Sequence, residues 1–182
     1  MSKIILVTGG SRSGKSKFAE DILKDEDDVL YIATAKAYDD EMKERIKKHK
    51  MRRKETWTTY EGHRNLDGVI KKFEGKNVML DCITIMCTNI MFDECKDFDN
   101  ITNEQIESIN KTIKLEISKL ISECRKKDLR LVMVTNEIGC GIVPENKLSR
   151  IFRDTQGTIN QFIASLCDEV YMVACGLPLK LK

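Results

Sequence analysis

The stretch KIILVTGGSRSGKS, residues Lys3 to Ser16, joins a short apolar run to a glycine-rich segment. The β-branched and aliphatic residues of Lys3 to Thr8 predict a buried strand. Lys15 to Leu23 carries apolar residues at helical spacing, which predicts an amphipathic helix. A strand, a glycine turn and a helix therefore follow one another at the start of the chain.

The turn itself, Gly9 to Ser16, matches the pattern GxxxxGK[ST] in full. Glycines let a backbone close around an anion with its N–H groups inward, and the next helix directs its positive end to the same point. Lys15 is then expected to neutralise the outer phosphates of a nucleotide, and the Ser16 hydroxyl to bind Mg²⁺. A plain Gly/Ser turn is the other interpretation, but the flanking strand and helix favour a phosphate loop.

Besides Ser16, an acidic group is expected at the end of a neighbouring strand, where it would bind the metal or its waters. Asp81 fits this position because it follows the apolar residues Val78 to Leu80. The alternative is that Asp81 caps a helix starting at Ile83. Together with the phosphate loop, the pattern favours the metal and nucleotide contact.

Further buried strands are predicted at Val29–Ala33, Val78–Asp81, Leu129–Thr135 and Glu169–Val173. Helices are predicted between them, and strands that alternate with helices indicate βαβ units. The expected fold is a single α/β domain, residues 1–182, with a mainly parallel sheet and helices on both faces. Helices are predicted at Asp39 to about Lys50, Leu66–Phe73, Ile83–Phe92, Thr102–Arg125 and Lys147–Leu166, with Thr102 and Gln105 forming a capping box.

Charge and composition exclude several classes of protein. The 182 residues carry 31 basic and 29 acidic side chains, a net charge of +2, so no global field favours a nucleic-acid partner. No apolar run is long enough for a signal-peptide core or a membrane span. The seven cysteines lack any CxxC pair and fit neither a disulfide framework nor a zinc site. Buried, reduced cysteines in a cytoplasmic protein are expected.

A basic segment surrounds one of the two histidines. Lys43 to Lys54 contains eight cationic residues around His49. Such neighbours keep the pKa of an imidazole low, and a neutral imidazole suits a nucleophile or a base. A solvated basic helix and a nucleic-acid patch are the alternatives, although few aromatic residues accompany the charges. His63 has only Glu61 and Arg64 as close charged neighbours in the sequence, and it is expected to be structural or exposed.

These segments resemble a known family, the adenosylcobinamide kinase/adenosylcobinamide-phosphate guanylyltransferases. The likeness includes GGSRSGKS, YIATA at Tyr31–Ala35 and DDEMKERIKKHK at Asp39–Lys50. It continues through DCITIMCTNIMF at Asp81–Phe92, TNEIGCGIVPENKLSRIFRDTQGTINQFIA at Thr135–Ala164 and the closing GLPLKLK. It therefore spans nearly the whole chain in order, and the RIxxH and NEIGxGIVP segments make it specific.

The resemblance implies two activities. ATP or GTP phosphorylates adenosylcobinamide; GMP then passes from GTP, through a GMP–histidine, to adenosylcobinamide phosphate. It implies a RecA-like P-loop fold, a homotrimer and Mg²⁺, with no nucleic-acid partner, and it places the nucleophile at His49, with Lys15 as the second catalytic residue. The implied nucleotide contacts are Gly9, Gly10, Ser11, Arg12, Ser13, Gly14, Lys15, Ser16, Ala33, Thr34, Ala35, Lys50, Met51, Arg52, Arg53, Glu61 and Asp81.

Two other functions stay open at this point. A generic small-molecule P-loop kinase would use the basic helix only to bind phosphate, and His49 would be incidental. A RecA-like, nucleic-acid-binding ATPase is disfavoured by the weak net charge and the missing aromatic platform. Glu137, just after the predicted strand Leu129–Thr135, is a possible base for the kinase step, and a structural carboxylate is the alternative.

Overall fold

The structure, a computed structural model, describes residues 1–35, 40, 44 and 54–182. The helix predicted from Asp39 to about Lys50 falls almost wholly outside these residues. The described elements, in chain order, are β1 (Lys3–Gly9), α1 (Lys15–Ile22), β2 (Val29–Ala33), β3 (Thr58–Glu61), α2 (Leu66–Lys72), β4 (Asn77–Asp81), α3 (Ile83–Glu94), α4 (Asn103–Lys126), β5 (Arg130–Val134), α5 (Lys147–Leu166), β6 (Glu169–Ala174) and β7 (Leu177–Lys180).

The strands form one seven-stranded sheet in the order β3-β2-β4-β5-β1-β6-β7. Every neighbouring pair is parallel except β6 and β7, which are antiparallel. The predicted α/β class and mainly parallel sheet are therefore confirmed. Because parallel strands end at the same edge, the segments that follow β1, β2, β3, β4 and β5 meet there.

Both faces of the sheet are buried. Along β1, Ile4 and Leu6 belong to the larger apolar cluster, which also contains side chains of α2, α3, α4 and α5. Ile5 and Val7 alternate with them and belong to the smaller cluster with Ala19 of α1. Since successive strand residues point to opposite faces, α1 lies on one face and α2, α3, α4 and α5 lie on the second. The prediction of helices on both faces is confirmed.

The start of α4 shows how local sequence fixes a helix boundary. The Gln105 N–H donates to the Thr102 hydroxyl, and the Thr102 N–H donates to the Gln105 side chain. These two bonds satisfy donors that a helix start otherwise leaves unpaired. The predicted capping box is confirmed. Asn146 caps α5 in a similar way by accepting from the Ser149 N–H at 2.7 Å.

Two edge strands were not predicted as strands. β3 (Thr58–Glu61) and β7 (Leu177–Lys180) lie in segments to which the sequence analysis assigned no strand. The segment before β3 is anchored to the loop before β2: Lys54 pairs with Asp27 at 2.9 Å, and the Trp57 indole donates to the Glu26 carbonyl at 3.0 Å. Trp57 also stacks against Tyr31. Lys54 and Trp57 thus hold the start of β3 against the loop before β2.

The seven cysteines are all free. Cys87, Cys124 and Cys167 are buried, as expected for thiols inside apolar runs, whereas Cys140 and Cys175 are exposed. The expectation of burial is wrong for these two because both lie in loops outside the core. Within the described ranges, no helix is both long and apolar enough to cross a bilayer.

The Glu169 carboxylate ties the outer strands together. It accepts from Lys3 and Lys180, both at 3.0 Å, and from the Tyr171 hydroxyl at 3.0 Å. The hydrogen bonds from Lys3 and Lys180 lower the pKa of Glu169 to about 2, from an ordinary value of 4.5. A carboxyl whose pKa is lowered on folding stabilises the fold above its unfolded pKa and loses that contribution as the pH falls through the folded pKa.

Glu169→Gln is therefore expected to flatten the loss of unfolding free energy between pH 4.5 and about 2. Urea denaturation at a series of pH values measures this. Glu107→Gln, at an exposed position of α4, is the control and should follow the parent's pH profile. A Glu169→Gln profile that runs parallel to that of the parent would contradict the assignment.

Candidate functional site

The segment between β1 and α1 closes tightly on itself. Gly9 is buried, and a Cβ atom there would lie 2.4 Å from the Val173 carbonyl and 2.7 Å from the Ser13 hydroxyl. Gly14 has φ of +96° and caps the start of α1. A side chain at Gly9 would collide, and Gly14 has a conformation that other residues adopt rarely. The glycines of the motif are therefore required by the shape of the loop.

Lys15 opens α1 and is buried, with only 9% of its surface exposed. Its ammonium donates to the Gly10 carbonyl at 3.0 Å, so the charge lies over the loop. The N–H groups of the first turn of α1, which an α-helix does not use internally, point to the same region. A buried cation, a helix start and a glycine-rich backbone together form an anion site of the kind that binds phosphate.

Asp81 ends β4, at the same edge of the sheet. It is in register with Val134 of β5, which is in turn in register with Val7 of β1. The expected acidic group is therefore present, but β5 lies between its strand and β1, so the backbones of Asp81 and Val7 are roughly 10 Å apart at an interstrand spacing of about 4.8 Å. The buried Tyr31 hydroxyl donates to Asp81 Oδ2 at 2.7 Å and orients the carboxylate.

Cys82, the residue after Asp81, shows which charges act at the end of β4. Burial raises the pKa of the Cys82 thiol to about 12, and the negative charge of Asp81 adds to the rise. The positive charge of Lys15 lowers the pKa of the same thiol and so opposes this rise. Cys82 therefore lies within the fields of both Lys15 and Asp81, and its thiol is protonated and inert at neutral pH.

Ala33 ends β2 at this edge, and Thr34 and Ala35 follow it. Ala33 is in register with both Asp81 and Glu61. Three predicted nucleotide contacts thus meet at the carboxyl ends of three adjacent strands. Thr34 connects two of these strand ends. Its hydroxyl donates to the Cys82 carbonyl at 2.8 Å and accepts from the Cys82 N–H at 2.9 Å. Its side chain joins β2 to β4. Glu61 is exposed at the end of β3.

Five of the predicted site residues, His49, Lys50, Met51, Arg52 and Arg53, lie outside the described residues. The two ends of their segment are placed. Ala35 follows the carboxyl end of β2, and Lys54 lies near the amino end of β2, beside Asp27. Ala35, the described residue before the segment, therefore lies at the edge that carries the phosphate loop.

His63 takes the structural role expected of it. Its Nε2 lies 2.7 Å from Asp93 Oδ2, and Arg64 pairs with Asp93 and Glu94. Its side chain is 13% exposed. His63 therefore joins the start of α2 to the end of α3.

Glu137 lies beside the phosphate loop through its backbone. The Glu137 N–H donates to the Gly9 carbonyl at 3.0 Å. Its carboxylate accepts from the Gly139 N–H at 2.6 Å and so orders the loop after β5. This contact favours the structural interpretation of Glu137 over that of a base.

A buried polar network behind this edge was not predicted from the sequence. The Thr135 hydroxyl donates to Asn160 at 2.8 Å, and Gln156 donates to both, at 3.0 and 2.8 Å. The Thr84 hydroxyl accepts from the Asn136 N–H at 2.7 Å. The network fixes the residues after β5 against α3 and α5. Gln156 and Asn160 are four apart and therefore share one face of α5, and this spacing of two amides is the signal that the sequence analysis missed.

A family model described as cobinamide kinase / cobinamide phosphate guanyltransferase matches residues 5–181 of this chain. The chain is 44% identical to the bifunctional adenosylcobalamin biosynthesis protein CobU of Escherichia coli (strain K12), over 98% of this chain and 99% of that protein. The protein of the same name from Salmonella typhimurium (strain LT2) is also 44% identical, with the same coverage. The bifunctional adenosylcobalamin biosynthesis protein CobP of Pseudomonas aeruginosa (strain PAO1) is 35% identical, over 97% and 96%.

Among solved structures, a KaiC-like protein from Pyrococcus horikoshii OT3 aligns with 93% of this chain and 70% of its own. The TM-score is 0.48, and the sequence identity is 12%.

Proposed function

The chain belongs to the cobinamide kinase / cobinamide phosphate guanyltransferase family, and from that premise we propose that it catalyses two successive transfers to a corrinoid. In the first, ATP or GTP phosphorylates the aminopropanol hydroxyl of adenosylcobinamide. In the second, GMP from GTP is transferred to adenosylcobinamide phosphate, which gives adenosylcobinamide-GDP. The product belongs to the biosynthesis of adenosylcobalamin.

The observation that carries the proposal is the position of Lys15. Its ammonium is buried at the start of α1, against the backbone of a loop whose shape requires glycine at positions 9 and 14. A preorganised cation in this place stabilises negative charge that develops on a transferred phosphoryl group. Both transfers use a nucleoside triphosphate, so both depend on a site of this kind.

The proposed GMP transfer proceeds by two displacements at the α-phosphorus of GTP. A ring nitrogen of neutral His49 attacks the α-phosphorus, the bond to the bridging oxygen breaks, and pyrophosphate leaves with its electron pair. A phosphate oxygen of adenosylcobinamide phosphate then attacks the same phosphorus, and the P–N bond breaks to return the imidazole. Dividing the transfer in this way is covalent catalysis. His49 is proposed from the RIKKH motif and from its basic neighbours.

The neighbouring cations give the α-phosphate its environment. Lys50, Arg52 and Arg53 follow His49 directly in sequence. Guanidinium and ammonium groups close to the imidazole disfavour its protonation and attract the triphosphate. With the outer phosphates in the loop of Gly9 to Ser16, the α-phosphate and the nucleoside would extend toward Ala33, Thr34 and Glu61 along the edge of the sheet.

The residues at the edge fit Mg²⁺. Mg²⁺ prefers oxygen ligands and commonly binds through one or two protein groups together with phosphates and water. Ser16 offers a hydroxyl and Asp81 a carboxylate oriented by Tyr31. Across the described ranges, no three His, Cys, Asp or Glu side chains gather into a metal cage, which agrees with this sparse mode of binding. When bound, Mg²⁺ would neutralise charge on the outer phosphates of the nucleotide.

The proposal includes a cytoplasmic, homotrimeric enzyme. The seven free thiols support a reducing compartment. Exposed apolar side chains that lie close together support association between copies of the chain, since contiguous apolar patches mark interaction sites. Among the described residues these include Ile142, Val143, Leu177, Leu179 and Leu181.

The proposal is tested by supplying each substrate separately with Mg²⁺. Adenosylcobinamide with ATP is expected to yield adenosylcobinamide phosphate, and adenosylcobinamide phosphate with GTP to yield the GDP derivative and pyrophosphate, both followed by mass spectrometry. A kinase of another small molecule would convert neither corrinoid. Formation of the phosphate without the GDP derivative would refute the guanylyltransferase half.

A further inference from the structure

The turn between β6 and β7 lies directly on the phosphate loop. Cys175 and Gly176 form this two-residue turn, which the pair Ala174 and Leu177 closes. Both turn residues have positive φ, +52° and +79°, as tight hairpins of this length require. The Gly176 N–H donates to the Ser13 carbonyl at 2.8 Å. The last hairpin of the chain thus holds the backbone of its first loop.

The hydrogen bond fixes the direction of one peptide group. In a trans peptide, the C=O of one residue and the N–H of the next point in opposite directions. The Ser13 C=O points outward to Gly176, so the Gly14 N–H points the other way, into the loop. Inward N–H groups are what an anion requires. If this peptide rotated, a carbonyl oxygen would face the phosphates instead.

Gly14 makes such a rotation easy without a restraint. Its φ of +96° lies in a region open mainly to glycine, and glycine adopts positive and negative φ with similar ease. A Cβ atom on Gly14 would lie 3.0 Å from the Gly176 Cα, so the two backbones are in direct contact. No side chain from the loop itself takes the place of the Gly176 N–H at Ser13 within the described hydrogen bonds.

The hairpin is anchored independently of the loop. Lys180 of β7 pairs with Glu169 of β6 at 3.0 Å. Four residue pairs join β6 to β7. The turn is therefore a fixed point against which the loop is held.

From this geometry we infer that the Gly176 N–H is a positioning group of the nucleotide site. By holding the Ser13 carbonyl outward, it keeps the Gly14 N–H directed at the phosphates of GTP or ATP. The inference rests on the proposed function of the phosphate loop and extends it to the carboxyl end of the chain. Gly176 acts through Ser13 and does not itself touch the nucleotide.

The test removes this single donor. Native chemical ligation requires a cysteine at the start of the second fragment, and the chain already has one at position 175. The ligation joins residues 1–174, as a thioester, to a synthetic peptide of residues 175–182. In one peptide, glycolic acid replaces Gly176, which exchanges its N–H for an oxygen. In a matched peptide, leucic acid replaces Leu181, whose N–H makes a hydrogen bond of the same length, 2.8 Å, far from the loop. The all-amide chain is the reference.

The ester at Gly176 is expected to weaken GTP binding about tenfold, which is the upper range for loss of one hydrogen bond. The ester at Leu181 should leave the affinity for GTP unchanged. Titration calorimetry with Mg²⁺ and α,β-methylene-GTP, an analogue whose α–β bridge His49 cannot break, measures binding. Thermal melting of the ligand-free chains measures stability. Equal affinities of the two ester chains would overturn the inference, whatever their stabilities.

A recombinant pair answers the same question if the ester chain fails to refold. Cys175→Val places a β-branched residue at positive φ and distorts the turn. Asp128→Val imposes the same strain in the turn before β5, at the opposite edge of the sheet, where Asp128 has φ of +56°. Weaker GTP binding in Cys175→Val alone is the expected result. Equal losses in both variants would show a general effect on stability and overturn the inference.

Lys15→Ala separates this inference from the proposed function. If Lys15→Ala binds GTP as well as the parent, the loop is not the nucleotide site and the proposed function fails. If Lys15→Ala loses affinity while the Gly176 ester keeps it, only the positioning role of Gly176 fails.

Discussion

Lys15→Ala is expected to lower the rates of both corrinoid phosphorylation and GMP transfer by at least about 10²-fold. The ammonium of Lys15 is held over the loop by the Gly10 carbonyl, at 3.0 Å, before any nucleotide arrives. Preorganised charge of this kind costs no rearrangement when negative charge develops on the transferred group. Initial rates of each step with saturating nucleotide measure the effect.

Lys17→Ala is the matched control. Lys17 lies on the same helix, two residues further on, and pairs with Asp21 at 2.7 Å on the exposed surface. Exposed ion pairs of this kind contribute little to stability. The Lys17 variant should keep the parent's rates within about twofold. Rates of Lys15→Ala close to those of Lys17→Ala would show that the loop does not serve the reaction.

His49→Ala is expected to abolish GMP transfer, a loss of at least about 10⁴-fold on the scale of removed covalent nucleophiles. Phosphorylation of adenosylcobinamide should continue, because that step forms no bond between the nucleotide and the protein. The variant therefore divides the two activities. Product analysis with adenosylcobinamide, ATP and GTP together would show accumulation of adenosylcobinamide phosphate.

His63→Ala is the natural control because the chain contains two histidines. His63 pairs with Asp93 at 2.7 Å and joins α2 to α3. Its loss should lower the melting temperature while the GDP derivative still forms. If His63→Ala, rather than His49→Ala, stops GMP transfer, the nucleophile has been assigned to the wrong histidine.

The sequence predicted the interior strands and missed the edge strands for a physical reason. Strands such as β2, Val29–Ala33, are buried along their whole length, so a continuous apolar run identifies them. β7 is exposed at every position and contains Pro178, so its pattern gives no local signal. Its extended shape comes from pairing with β6, a contact between segments that no local window includes.

For the candidate site, the sequence predicted which residues take part but not their spatial relations. The GxxxxGK[ST] motif located the loop, and an apolar run located Asp81. The sequence could not show that β5 lies between β1, which leads into the loop, and β4, which ends at Asp81, because strand order is a property of the whole sheet. The hydrogen bond from Tyr31 to Asp81 joins residues that are 50 apart in sequence, and the one from Gly176 to Ser13 joins the two ends of the chain. A sequence motif covers only neighbouring residues, so no motif contains both partners of either bond.

The central claim is that GTP forms a covalent GMP adduct with His49. The most direct measurement incubates the protein with α-³²P-GTP and Mg²⁺, denatures it, and follows the label on the protein in acid and in base. The account predicts protein-bound label that is lost in acid, survives in base, is present in His63→Ala and is absent in His49→Ala. Wild-type protein without acid-labile label, or label that persists in His49→Ala, would contradict it.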